Sequence, residues 1–277
     1  MRWLILTQML VATSSGAAEG WEVSVLGGWT APTYEARLSY EPNIDLPDFS
    51  GATIRQSGVL ALDARGSFAF GGSVAYYFQD FLAIEGRIDT VDFDIQTEGP
   101  VFTADLALPA PLPDATAVLD LGTGTVDVER LYPLSLNVKA RTGGRARFVA
   151  SGGVSYLPEL RLNAIQNARL SVSVLGIELV QPATVAVEAE ALPTEEHAGR
   201  LGFNGGAGVE VQLSDTVSFV AEGRFFQFRT ATFTWSRAAE PVTRLEELLL
   251  EELENELEPV TFEPTYFQVS GGIALRF

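Results

Sequence analysis

Eight stretches of this chain alternate apolar or small residues with polar ones at period two, as strands do when their two faces meet different surroundings. The first runs WEVSVLGGWT from Trp21, with Trp21, Val23, Val25, Gly27 and Trp29 on one face and Glu22, Ser24, Leu26 and Gly28 on the other. Residues 67–78 set Phe68, Phe70, Val74, Tyr76 and Phe78 against serines, alanines and glycine, and after Gln79-Asp80 the alternation resumes with Leu82, Ile84, Gly86 and Ile88 opposite Glu85, Arg87 and Asp89. Residues 134–141 and 147–156 form the next pair, joined through Gly143-Gly144; residues 201–213 and 217–225 form another, joined through Ser214-Asp215. The eighth stretch, residues 265–277, reads TYFQVSGGIALRF. Near Thr90-Val91 the third stretch slips by one residue, which predicts a bulge or the end of its apolar-faced part.

The connections alternate long and short. Three tight turns separate four long segments, 31–65, 97–130, 157–199 and 234–264. The first reads as a loop, extended around Val59 to Leu62; the second and third contain alternating runs that predict strands projecting beyond the main set, or an additional spanning pair. In the fourth, Thr243 and Glu246 stand at capping-box spacing, and Pro259 terminates the pattern that Thr243 opens. Leu245, Leu248, Leu249, Leu253 and Leu257 share one face there, so a short acidic amphipathic helix is expected.

Trp21 and Trp29 bracket the apolar face of the first strand. At about 3.3 Å per residue and a tilt of about 40° they are roughly 20 Å apart across a bilayer, near the ~25 Å apolar band of membrane barrels. No apolar run long enough for a membrane-spanning helix follows the start. Residues 1–18 are laid out as a signal peptide, with Arg2, an apolar stretch from Trp3 to Ala12 and small residues Gly16-Ala17-Ala18, leaving 19–277 as one barrel domain.

The alternation of long and short connections predicts an all-β fold: an eight-stranded antiparallel up-and-down transmembrane β-barrel with long external loops and one short amphipathic loop helix. The export signal, the glycine-rich aromatic strands, the tight turns and the terminal Phe277 resemble the small bacterial outer-membrane β-barrel family of the OmpA-type transmembrane domain, OmpX and OmpW. That resemblance spans about half of the residues and is specific for architecture. It implies location in the bacterial outer membrane, contact with its lipids and lipopolysaccharide, and a terminal strand whose Phe267, Val269, Ile273, Leu275 and Phe277 are read by the barrel-assembly machinery. It does not extend to a peptidoglycan-binding domain, so an anchoring role is not implied.

Composition narrows the chemistry. The 277 residues include no cysteine and carry a formal net charge of -18, which disfavours thiolate metal sites and nucleic-acid partners. No cofactor motif is present. The inward phase of the strands collects Glu22, Glu85, Asp89, Glu210 and Glu222 with Arg87, Lys139, Arg141, Arg147, Arg224 and Arg276. Such a set predicts either a paired plug in the lumen or a selective polar pore. Two hairpins echo one another by placing Glu-Gly-Arg at 85–87 and 222–224, acid and base inward and glycine outward.

Some barrels of this kind are lipid-modifying enzymes or proteases that need a histidine base; the single histidine here, His197, lies in a long segment with no serine nearby and reads as an exposed loop residue. Acids such as Asp45, Asp63, Asp120 and Asp127 match no calcium-loop spacing. The expectation is a non-enzymatic barrel with a structural or surface-binding role, with a passive conduit for small or hydrophobic solutes as the alternative and external ligands met through the loops.

Overall fold

The computed structural model describes residues 20–33, 35–40, 43–46, 52–55, 58–106, 115–122, 124–160, 162–174, 177–178, 183–191 and 199–277. The signal-peptide assignment and His197 fall outside these residues. In chain order the first ten strands are β1 Gly20–Pro32, β2 Glu35–Tyr40, β3 Asn43–Leu46, β4 Ala52–Arg55, β5 Gly58–Arg65, β6 Phe68–Gln79, β7 Leu82–Glu98, β8 Val101–Leu106, β9 Ala115–Asp120 and β10 Thr125–Leu131. They are followed by β11 Leu134–Arg141, β12 Ala146–Leu157, β13 Leu162–Val174, β14 Ile177–Glu178, β15 Ala183–Ala191, β16 Arg200–Gln212, β17 Val217–Phe228 and β18 Ala231–Arg237. Helix α1, Arg244–Glu256, then precedes β19 Val260–Phe262 and β20 Thr265–Arg276.

Eight of these strands close a barrel. Antiparallel ladders run β1–β6–β7–β11–β12–β16–β17–β20, and β20 returns to β1, with Glu22 directly opposite Arg276. Closure leaves no free edge in this ring. Its outer face is a belt of exposed apolar residues, among them Trp21, Val25, Trp29, Phe70, Ile84, Leu136, Phe148, Phe203 and Val269. The period-two pattern is therefore inverted relative to a water-soluble barrel, apolar outside and polar inside.

The long segments are not loops wrapped around this ring. They continue it as a second tier: β2 pairs with β5, β5 with the far half of β7, and β7 with β10. From there β10 pairs with β13, β13 with β15, β15 with β18 and β18 with β19. The β8–β9 hairpin extends the ladder along β13, and β3–β4 form a separate two-stranded hairpin. The expected loop at 31–65 is thus largely strand, and Asp45, Asp63, Asp120 and Asp127 stand on strands rather than in loops. The barrel itself keeps eight strands, so the additional spanning pair does not form.

In this upper tier the sidedness is the ordinary one. Val91, Phe93, Ile95, Leu119, Leu170, Val187, Phe233 and Phe262 belong to one buried apolar cluster. Helix α1 lies against β15 and β18 and adds Leu249, Leu250, Leu253 and Leu257 to that cluster. Leu250, not among the leucines assigned to the apolar face, is buried while Leu248 is half-buried, and the side chain of Leu245 lies outside the described residues. Thr243 caps the helix: its hydroxyl accepts from the Glu246 N–H while the Glu246 carboxylate accepts from the Thr243 N–H, a complete capping box.

Strand β7 joins the tiers. Its 17 residues span about 55 Å at ~3.3 Å each. Glu85, Arg87 and Asp89 point inward below, and Val91, Phe93 and Ile95 point inward above, all on one parity. The slip read at Thr90-Val91 is therefore no bulge in β7. The inward face changes from charged to apolar while the strand runs on, and the irregular register lies in the partner strand, between Val128 and Leu131 of β10.

Candidate functional site: the lumen charge network

The lower barrel gathers all eleven inward charges into one connected network. Near the end that carries the tight turns, Glu22 on β1 accepts from Lys139 Nζ at 2.7 Å and Arg276 Nε at 2.9 Å, with Arg141 Nη1 at 3.5 Å. Arg276 also reaches Glu210 on β16 at 2.5 Å, and Arg147 Nη1 approaches the same carboxylate at 3.3 Å. The Arg141 guanidinium lies 3.6 Å from the centre of the Tyr77 ring, a cation over an aromatic face. Lys139 continues inward to Glu85 at 3.4 Å.

The middle layer is built by the two Glu-Gly-Arg motifs. Strands β7 and β17 stand four places apart in the ring of eight, on opposite walls, and their motifs meet across the lumen. Arg87 pairs with Glu222, and Arg224 Nη2 lies 3.4 Å from Glu85 and 3.5 Å from Glu222. Arg87 also grips Asp89 in a bidentate pair, Nε to Oδ2 at 2.7 Å and Nη2 to Oδ1 at 2.8 Å. Space for Asp89 comes from Gly71 on the neighbouring strand, where an added Cβ would sit 2.2 Å from Oδ1.

Neutral groups complete the lattice. Asn137 donates to Glu85 at 3.0 Å, and Asn204 donates to Asn137 at 2.8 Å and to Ser155 at 2.9 Å. Arg224 donates to Asn204 Oδ1 at 2.5 Å and to Ser151 at 2.6 Å, while Gln268 donates to Asp89 at 3.3 Å. Asn137 and Asn204 share the inward phase of the charged residues on their strands. Strand phase shows which face a residue is on, and only the stagger of the closed barrel shows which partner lies across the lumen.

Every one of the five carboxylates touches a cation and every one of the six cations touches a carboxylate. Glu22, Glu85, Arg87, Asp89, Lys139, Glu210 and Arg224 are buried. Isolated, each would cost several kcal/mol of desolvation, about what is lost when one partner of a buried pair is removed. Above Asp89 lies an aromatic layer, with Tyr266 stacked on Phe226 at 4.8 Å between centroids and Phe93 edge-on to Tyr266 at 5.5 Å. Arranged so, the network links opposite walls across the lumen. Among the described residues no cluster of three or more His, Asp or Glu side chains has the arrangement of a metal site.

The terminal residues expected to carry an assembly signal lie on the outer face of β20, with Phe267, Val269 and Ile273 exposed and Leu275 and Phe277 half-buried. Phe277 is itself tied to the first strand, its N–H donating to Trp21 O at 2.9 Å.

No family model and no curated protein matches the chain. Among solved structures it is similar to the outer membrane protein OprG of Pseudomonas aeruginosa, at 13% identity, covering 94% of this chain and 96% of that one with a TM-score of 0.51. Neisserial surface protein A aligns at 9% identity over 95% of this chain and 100% of that chain, with a TM-score of only 0.37. The likeness to OprG concerns fold, and the fold is that of the small outer-membrane β-barrels.

Proposed function

We propose that this chain is an integral protein of the bacterial outer membrane whose work is done at its surfaces rather than through its bore. The supporting observation is that the inward side chains are paired and mostly buried below Asp89 and form a buried apolar cluster above it. On this reading the eleven lumen charges are a rigid plug, the apolar belt faces lipid and lipopolysaccharide, and the upper tier with α1 presents an acidic surface to external ligands. Phe267, Val269, Ile273, Leu275 and Phe277 serve as the strand offered to the barrel-assembly machinery, and the role is structural or surface-binding rather than enzymatic.

Planar bilayers test the reading. Purified protein is expected to give no reproducible conductance steps at moderate voltage. Regular steps that disappear when Arg224 and Glu85 are replaced together would instead establish a passive channel.

A further inference from the structure

On the outside of the barrel, where β16 begins and β17 ends, lies a groove of about 470 Å³ lined by Leu201, Phe203, Gln227, Phe228, Arg229 and Glu263. Its β16 wall is apolar: Leu201 and Phe203 are each 55% exposed on the outward face of that strand. The wall beside it, at the end of β17, is polar. Gln227 is paired directly with Phe203, so the change from apolar to polar occurs between one ladder partner and the next. Tyr156, an exposed aromatic residue opposite Leu201, marks the same height on β12, where aromatic rings gather at the edge of a bilayer's hydrocarbon.

Arginine at this height is the second observation. Arg229 is exposed, its N–H donating to Leu201 O at 3.2 Å, and its guanidinium has no ion-pair partner among the described residues. Two outward arginines of the upper tier are, by contrast, paired: Arg130 with Asp92 at 2.9 Å and Arg237 with Glu254 at 2.8 Å. A second guanidinium stands close by, Arg200 Nη1 donating to Thr230 O at 3.4 Å. Among the described residues lining the groove the one acid, Glu263, already accepts from Gln227 at 2.7 Å and Thr265 at 3.2 Å.

From this we infer that the groove binds a phosphorylated lipid of the leaflet it faces, the phosphate on Arg229 and an acyl chain along Leu201 and Phe203. The inference rests on the membrane placement proposed above. Its basis is charge complementarity in a strongly acidic chain, together with continuity between the groove and the apolar belt. A guanidinium offers a phosphate two parallel donors, and at the edge of hydrocarbon that pairing is less screened than in water.

The test uses the full chain in nanodiscs of neutral phosphatidylcholine, with bis-phosphorylated lipid A as the probe and bound lipid counted by native mass spectrometry. One retained lipid per barrel is expected, with affinity falling about tenfold in Arg229→Gln and about tenfold for dephosphorylated lipid A on the unaltered chain. Arg229→Lys keeps the charge and is expected to retain most of the binding, while Glu263→Gln tightens it. Unchanged binding by Arg229→Gln, equal binding of the dephosphorylated lipid, or displacement by millimolar inorganic phosphate would each overturn the proposal. Heat-modifiable gel migration, followed in parallel, separates the two readings: its absence in the unaltered chain refutes the membrane barrel, whereas its presence without lipid retention refutes only the groove.

Discussion

The two tiers of this molecule use the same backbone and opposite chemistry. Below Asp89 the apolar side chains face outward and charges face the bore; above it the apolar side chains face inward and charges such as Asp92 and Arg130 face solvent. Strand pairing is indifferent to the exchange, because ladder hydrogen bonds do not depend on which face is wet. What differs is the source of cohesion. The upper tier gains from removing apolar surface from water, worth about 25 cal/mol per Å². Where lipid replaces water outside, the lower tier has no such gain between its own walls, and its bore is held by paired, directional contacts.

The largest expected effect comes from leaving charges unpaired in the lower tier. Glu22→Leu leaves Arg141 without a carboxylate and takes one of two from Lys139 and from Arg276, and is expected to cost about 3–5 kcal/mol, read as a lowered urea midpoint of the refolded barrel in micelles. A loss below about 1 kcal/mol would mean that the network is hydrated rather than cohesive. In the upper tier, Leu253→Ala removes a buried side chain from the α1 face and should cost about 2–4 kcal/mol. Hydrogen exchange should then speed up in β15 and β18 while heat-modifiable migration stays as it was; a collapse of migration would show that the tiers unfold as one unit.

The boundary itself can be moved. Asp89→Leu leaves Arg87 short of a partner, whereas Arg87→Met combined with Asp89→Leu raises the apolar interior by one layer and leaves Glu222 with Arg224. The double variant is expected to be more stable than the single one by about 1–2 kcal/mol. Equal losses in both would show that the bidentate pair is needed for more than mutual neutralisation.

Smaller effects belong to the helix end. Thr243→Ala deletes the cap and should cost about 1 kcal/mol, measurable as faster exchange of the first amides of α1. Smallest is the response to acid. Hydrogen bonds from the backbone N–H groups of Val242 and Thr243 hold the Glu246 carboxyl below its ordinary value, and the Arg237 guanidinium does the same for Glu254. Both titrate lower in the folded chain than in the unfolded one. Their support is therefore complete above an unfolded value of about 4.3 and is lost as pH falls through the lowered folded values. Exchange within α1, corrected for its intrinsic pH dependence, is expected to quicken as pH falls below about 4.3; an unchanged α1 under acid would dismiss the cap and the Arg237 pair as pH-sensitive supports.

The lower barrel was legible in the sequence because an apolar outside and a charged inside give alternation of high contrast, and tight turns fix where each strand begins. The eleven charges followed from phase alone. At Thr90-Val91 the apolar positions pass from even numbers, 84 and 88, to odd ones, 91, 93 and 95. In a sequence that exchange of faces looks the same as a one-residue slip. The strands of segment 31–65 were hidden by their acids, prolines and glycines, which read as loop although β2 and β5 are held in ladders. Which residues meet across the lumen was not legible, since Arg87 and Glu222 lie 135 positions apart and are brought together only by closure.

Strand β7 carries a further meaning for anyone wishing to rebuild the molecule. Because one continuous strand serves both sidedness rules, the plane between Asp89 and Val91 is a natural graft line: a different ectodomain could be set on this base if its strands arrive with their apolar side chains already on the odd parity of β7. An insertion of one residue at that line would turn Phe93 and Ile95 outward and leave the lower barrel untouched, whereas two residues would restore the phase. The joint is thus a keyed coupling, tolerant of what is attached and strict about the parity with which it arrives.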